Sequence, residues 1–189
     1  MIHDLVTTNR SYRRFHQDRP IDEATLRELV DLARLSPSAA NLQPLKYMIS
    51  ATPRKNEVIF PTLAWAGYLK DWPGPAEGER PAAYITILGD TDISKGFGCD
   101  HGIVCQSILL GAAEKGIGGC IIGSIDRERL RAGLDIPERY EILLVIALGY
   151  PSEKVVLDEL GTDGGIRYYR DASDVHHVPK RSLDDVIVG

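Results

Sequence analysis

The chain has 189 residues, 43% of them hydrophobic and 26% charged, with a formal net charge of −5. That length supports a core without disulfides or structural metal, so one domain over 1–189 is expected. The acidic balance argues against nucleic-acid binding, which rests on many Lys and Arg neutralising phosphates. No apolar run approaches the roughly 20 residues that span a bilayer, so no membrane partner is expected. The first residues lack the basic-then-apolar order of a signal peptide, and Cys99, Cys105 and Cys120 form no Cys-x-x-Cys pair. A cytoplasmic protein with free thiols is the expectation.

In chain order, residues 2–9 read as a short helix, followed at once by a basic segment. Asp22 is a good N-cap for a helix over 23–34, where Leu26, Leu29, Val30 and Ala33 recur at helical spacing. Pro37 ends that helix, because the residue before a proline avoids helical dihedrals. Lys46–Ala51 reads as a strand and 54–60 as a helix. Residues 61–81 hold Pro61, Pro73, Gly74, Pro75, Gly78 and Pro81 and predict an irregular excursion. Ala82–Gly89 and Ile142–Gly149 are short, apolar and rich in Ile, Val and Leu, as suits central strands covered on both faces. Between them the pattern predicts a helix over 100–115, a strand near 119–123 and a short helix from Asp126 to Leu134. The first of these carries Ile103, Val104, Cys105, Ile108, Leu109, Leu110, Ala112 and Ala113 around most of its circumference. Such a helix is buried on all sides, which in a domain this small points to a second subunit. The mixture reads as α+β, with helices packed on a small mixed or antiparallel sheet.

Positive charge is uneven: Arg10, Arg13, Arg14 and Arg19 lie within the first twenty residues, and Lys180 with Arg181 near the end. Local cations on an acidic protein suit a small anion. In an extended segment Ser11 and Arg13 point to one side, Tyr12 and Arg14 to the other. Guanidinium groups offer a phosphate bidentate hydrogen bonds that lysine cannot. The competing reading is a solvated basic edge paired with acidic neighbours, or an interaction module meeting an acidic partner. Ser36-Pro37-Ser38-Ala39-Ala40-Asn41-Leu42-Gln43-Pro44 mixes small residues, which let a flat ring approach the backbone, with amides that can bond its polar edge.

Three stretches, Asn9-Arg10-Ser11-Tyr12-Arg13-Arg14-Phe15, Ser36–Pro44 and Val178-Pro179-Lys180-Arg181-Ser182-Leu183-Asp184-Asp185-Val186, together resemble the nitroreductase family of FMN-binding oxidoreductases. The first matches the family's Arg-Ser-x-Arg-x-Phe pattern. The last matches a basic pair followed by Pro-Leu and an acidic residue, with Ser182 in place of the proline. Leu45 stands where the family often has Trp, and Asn9 where it often has Arg.

The resemblance implies a nitroreductase-like α+β fold with a central, mostly antiparallel sheet flanked by helices, forming a homodimer with two FMN sites at its interface. It implies that Arg10, Ser11 and Arg13 hold the FMN phosphate and ribityl chain, and that Lys180 or Arg181 closes the same site. It implies that Pro37, Ser38, Ala39 and Asn41 line the flavin, with Ile121, Ile122 and Gly123 running along the ring as backbone. Trp65, Tyr68 and Trp72 are read as a wall over the exposed flavin face, where an aromatic substrate would stack. No side chain is assigned as acid, base or nucleophile, because the cofactor carries the chemistry. NADH or NADPH gives electrons and a small electron-poor acceptor such as a nitroaromatic or quinone takes them, in ping-pong order. Reductive dehalogenation, flavin cleavage and flavin storage are the alternatives on the same scaffold. Cys99, His101 and Cys105, with His176 and His177 elsewhere, lack the four-ligand spacing of a zinc site, so no metal is expected.

Overall fold

The computed structural model describes residues 1–162 and 164–189. Helices α1 (Ile2–Thr8), α2 (Glu23–Leu35), α3 (Pro53–Ile59), α4 (Asp100–Glu114) and α5 (Arg127–Leu134) accompany strands β1 (Leu45–Ser50), β2 (Ala83–Asp90), β3 (Gly118–Ile122) and β4 (Tyr140–Gly149). The four strands form one sheet in the order β1-β2-β4-β3, antiparallel throughout. The two apolar runs are thus its central strands, as their composition requires.

The alternation of strand side chains splits the core in two. On one face Ile85, Ile87, Ile146 and Leu148 pack with Leu26, Leu29 and Ala33 of α2 and with Val104, Ile108 and Ala112 of α4. On the other, Tyr84, Leu88, Cys120, Ile122, Val145 and Ala147 pack with Ile59 of α3, Leu130 of α5 and Trp65. Opposite Ile87 and Leu88 the register skips Leu143, a bulge that bends β4. Asp22 caps α2 by accepting from Thr25 N–H at 2.6 Å, and Asp126 caps α5 by accepting from Arg129 N–H at 3.1 Å.

α4 is not enclosed within one chain. Val104, Cys105, Ile108, Leu109 and Ala112 are buried, whereas Ile103 is 36% exposed and Gly102 and Gln106 are open. These open positions, with half-buried Leu110, share one face at helical spacing.

A second sheet lies beyond the reach of the sequence patterns. β5 (Val155–Glu159) and β7 (His176–Lys180) run parallel, and β6 (Tyr169–Arg170) joins β7 antiparallel. Residues 61–81 are irregular apart from one turn of 3₁₀ helix at Phe60–Thr62 and a bridge from Leu63 to Ile125. No helix among the described residues is long and apolar enough to cross a membrane.

Candidate functional site

The basic segment is laid along the edge of the main sheet. Ser11 forms a parallel bridge with Gly119 of β3, and Tyr12 N–H donates to the Gly119 carbonyl at 3.0 Å. Phe15 bridges Pro151 just after β4, and His16 N–H donates to the Tyr150 carbonyl at 2.8 Å. Phe15 is fully buried, and Gly149 makes room for it: a Cβ there would meet the ring at 2.7 Å. The phenylalanine of the motif is therefore the anchor that fixes the extended backbone.

Extended geometry then sends neighbouring side chains to different places. Arg13, only 9% exposed, enters a groove of 310 Å³ that Arg10, Ser11, Ile121 and Lys180 also line. Arg14 turns away, pairs with Glu79 at 3.3 Å and with Asp174, and lies over the Trp72 ring at 5.9 Å. The groove's other walls are Asn9, Gln106 and Leu109 of α4, Gly119, and Tyr168, His176 and Val178 from the second sheet region. Three cations and no carboxylate line it among the described residues, in a protein of net charge −5.

The polar contacts leave donors free for an anion. Arg13 Nη1 donates to the Ser11 carbonyl and to His176 Nε2, both at 3.2 Å, and its guanidinium lies 4.8 Å from the centre of the Tyr168 ring. Arginine only donates, so Nε2 accepts and the His176 proton sits on Nδ1. That Nδ1 is buried without a partner, as is Arg10 Nε. Burial first, and the Arg13 charge second, push the His176 pKa down to about 4, so the ring is neutral at neutral pH. Arg10 Nη2 donates to the Val6 carbonyl at 2.7 Å, in the last turn of α1.

The Ser36–Pro44 stretch lies elsewhere. Pro37 and Ser38 line a separate cavity of 190 Å³ with Gln43, Tyr47, Asp100 and Val104, while Ala39 and Asn41 are exposed. Asp100, 2% exposed at the start of α4, ties the loop down: it accepts from Ser38 Oγ at 2.6 Å and from Ala39 N–H at 3.1 Å. Ala40 (φ 49°), Asn41 (φ 53°) and Gln43 (φ 52°) hold left-handed backbone, which costs about 1–2 kcal/mol at an alanine. A loop kept in that state by a buried carboxylate is pre-shaped.

Other expected residues divide in the same plain way. Ile121 is 41% exposed and faces the groove, whereas Ile122 is buried in the opposite core, leaving only its main chain for a ligand. Gly123 is exposed and lies outside the groove lining. Lys180 lines the groove and Arg181 does not. The aromatics do not share one wall. Trp65 is a core residue, 5.9 Å from the Phe60 ring, and Trp72 lies beneath Arg14 and Arg170. Tyr68 alone is 49% exposed, and it reaches the groove indirectly, its ring tilted 49° against that of Tyr168 at 4.9 Å between centroids. Tyr168, His176 and Gln106 line the groove without a signal for it in the sequence. His176 read as half of a histidine pair.

Residues 6–150 match the sequence profile of the nitroreductase family. The chain belongs to that family. It is similar to an NADH dehydrogenase of Thermus thermophilus, 26% identical over 77% of this chain and 84% of that one. Among solved structures it resembles the nitroreductase family protein of Streptococcus pneumoniae TIGR4, with TM-score 0.72, 19% identity and full coverage of both chains. It also resembles an FMN-dependent nitroreductase of Clostridium difficile R20291, with TM-score 0.65 and 22% identity over 82% of this chain and 89% of that one. Membership places the chain among oxidoreductases of nitroreductase-like α+β fold. The matched region stops at Tyr150, so the second sheet, which brings His176 and Lys180 to the groove, lies outside the family's matched core.

Proposed function

We propose that this protein is an FMN-dependent oxidoreductase, a single-domain chain acting as a homodimer, that passes electrons from NADH or NADPH to an electron-poor small molecule such as a nitroaromatic or quinone. The observation that carries this reading is the groove itself: Arg10, Ser11 and Arg13 from one end of the chain meet Lys180 from the other, with no opposing carboxylate among the described residues. A phosphate ester carries a charge near −2 at neutral pH, and this donor set matches it. The unpartnered Arg10 Nε and His176 Nδ1 add buried hydrogen-bonding capacity beside it. Bound FMN would supply a two-electron carrier able to take electrons from a nicotinamide and release them to an acceptor.

The chain's own residues bind and orient. Arg13, Arg10 and Lys180 hold the phosphate, Ser11 adds a hydroxyl, and Ile121 offers an apolar surface to the ring system. Tyr168 covers the Arg13 guanidinium and keeps water from it. Pro37, Ser38, Ala39 and Asn41 lie away from this groove in the same chain, so their contribution to a flavin comes from a second copy. The open face of α4, with Ile103 and Leu110, and the exposed Ile2, Val6 and Leu35 give that copy an apolar surface to cover. Sedimentation at low concentration is expected to show a dimer, and a flavin-loaded monomer would refute the shared site.

The chain has no glycine-rich dinucleotide fingerprint, so donor and acceptor use one opening in turn. The test is spectroscopic and kinetic. Purified or reconstituted protein is expected to show a flavin spectrum, to release FMN rather than FAD on heating, and to bleach with NAD(P)H. A nitroaromatic or quinone should restore the colour, and initial rates should give parallel double-reciprocal lines. No flavin, or FAD alone, rejects the cofactor reading. Bleached protein that acceptors do not reoxidise is a flavin store, and intersecting lines mean separate sites.

A further inference from the structure

The groove depends on a residue that does not line it. Glu153, whose side chain is 2% exposed, lies two residues after the Pro151 that bridges Phe15. Its Oε1 accepts from the main-chain N–H of Arg13 and, at 3.1 Å, from that of Arg14. Its Oε2 accepts from Arg170 Nη2 at 2.8 Å. In a regular strand consecutive N–H groups point to opposite sides. One oxygen receiving both therefore imposes a local twist, and that twist lies between the arginine that enters the groove and the arginine that leaves it.

The environment of the carboxylate fits this role better than a contribution to stability. A buried ion pair roughly breaks even once both charges lose water, so the Arg170 contact mainly offsets the cost of placing Glu153 there. Arg170 is itself held by the Trp72 ring at 4.5 Å and by Asp174 at 3.8 Å. What remains in Glu153's favour is the pair of N–H groups, which have no other acceptor among the described residues.

We propose that Glu153 is a positioning residue for the phosphate cradle: by accepting from both N–H groups of the Arg13–Arg14 pair it aims the Arg13 guanidinium into the groove without touching the ligand. Arg170 and Trp72 brace the carboxylate from behind. Trp72 thus acts on cofactor retention rather than on acceptor choice. The proposal rests on the groove being the FMN phosphate site.

Riboflavin, which lacks the phosphate, supplies the control. Apo-protein is titrated with FMN and with riboflavin, following flavin fluorescence, for the wild type, Glu153→Met and the double variant Glu153→Gln with Arg170→Met. Methionine keeps the shape and removes the acceptor, so FMN affinity is expected to fall about 10- to 100-fold while riboflavin affinity stays within about 2-fold. The double variant keeps an oxygen for the two N–H groups and leaves no stranded guanidinium, so FMN affinity should return to within about 3-fold of the wild type. Equal losses for both flavins in Glu153→Met, or no loss of either, would overturn the proposal. If that variant does not fold, Glu153→Asp decides, because it keeps the charge but withdraws it from the Arg13 N–H. A selective loss of FMN is then expected, and an unchanged FMN-to-riboflavin ratio overturns the role. Wild-type protein that takes up neither flavin removes the function reading and this proposal together. Wild-type preference for FMN that survives in the variants removes this proposal alone.

Discussion

Arg13→Ala is expected to weaken FMN binding roughly 10- to 150-fold, the effect of losing a charge-assisted contact worth about 1.5–3 kcal/mol. Arg13 is nearly buried, and its guanidinium faces Ser11, His176 and Tyr168 inside the groove. Arg14→Ala makes the matched comparison. Its partners Glu79 and Asp174 lie outside the groove and are partly exposed, so FMN affinity should stay near that of the wild type and stability should fall by about 1 kcal/mol or less. Fluorescence titration of the two apo-proteins, with thermal melts beside it, measures both quantities. Equal losses of FMN would mean that both arginines reach the phosphate and that the segment's alternation is misassigned.

Phe15→Ala is expected to cost about 3–5 kcal/mol of folding stability, the range for removing a buried aromatic ring that its surroundings cannot replace. Phe15 has 0% exposure, its ring fills the space that Gly149 leaves open, and its N–H donates to the Glu79 carbonyl at 3.0 Å. Urea unfolding reports the difference. A loss under about 1 kcal/mol would show that the ring does not pin the basic segment to the sheet. Because that segment carries Arg10, Ser11 and Arg13, the variant should also bind FMN less tightly even under conditions where it remains folded.

Much of the main sheet is legible in the sequence because its physics is local. Ala82–Gly89 and Ile142–Gly149 are too uniformly apolar to lie anywhere but the centre, and Asp22 announces its helix by capping. The split between Arg13 and Arg14 also follows from the chain alone, since an extended backbone alternates its side chains. The second sheet is not legible for the opposite reason. Val155–Glu159 and His176–Lys180 are short and mostly half-exposed, and the contacts around them, such as Glu153 with Arg170 and Arg14 with Asp174, join residues that no periodicity connects. Trp65 and Trp72 illustrate a related limit. An aromatic in an irregular stretch reads equally as wall or as core, and its place depends on distant partners. Here Gly74, with φ 118°, packs so closely on Trp65 that a Cβ would meet its ring at 2.7 Å, while Arg170 covers Trp72. Ser36–Pro44 shows its composition but not its shape, because the left-handed backbone at Ala40, Asn41 and Gln43 depends on the distant Asp100.

The parallel pairing of β5 with β7 has a consequence for the order in which the protein is made. Arg10, Ser11 and Arg13 are made before the whole main sheet, whereas Glu153, Tyr168, His176 and Lys180 follow it, so these cations wait through the making of β1 to β4 without their counterparts. A nascent chain can bury Phe15 against Gly149 as soon as β4 is out, yet it still lacks the strand that delivers Lys180 to the groove. On the proposed function, loading of FMN would therefore wait for β7 to pair with β5.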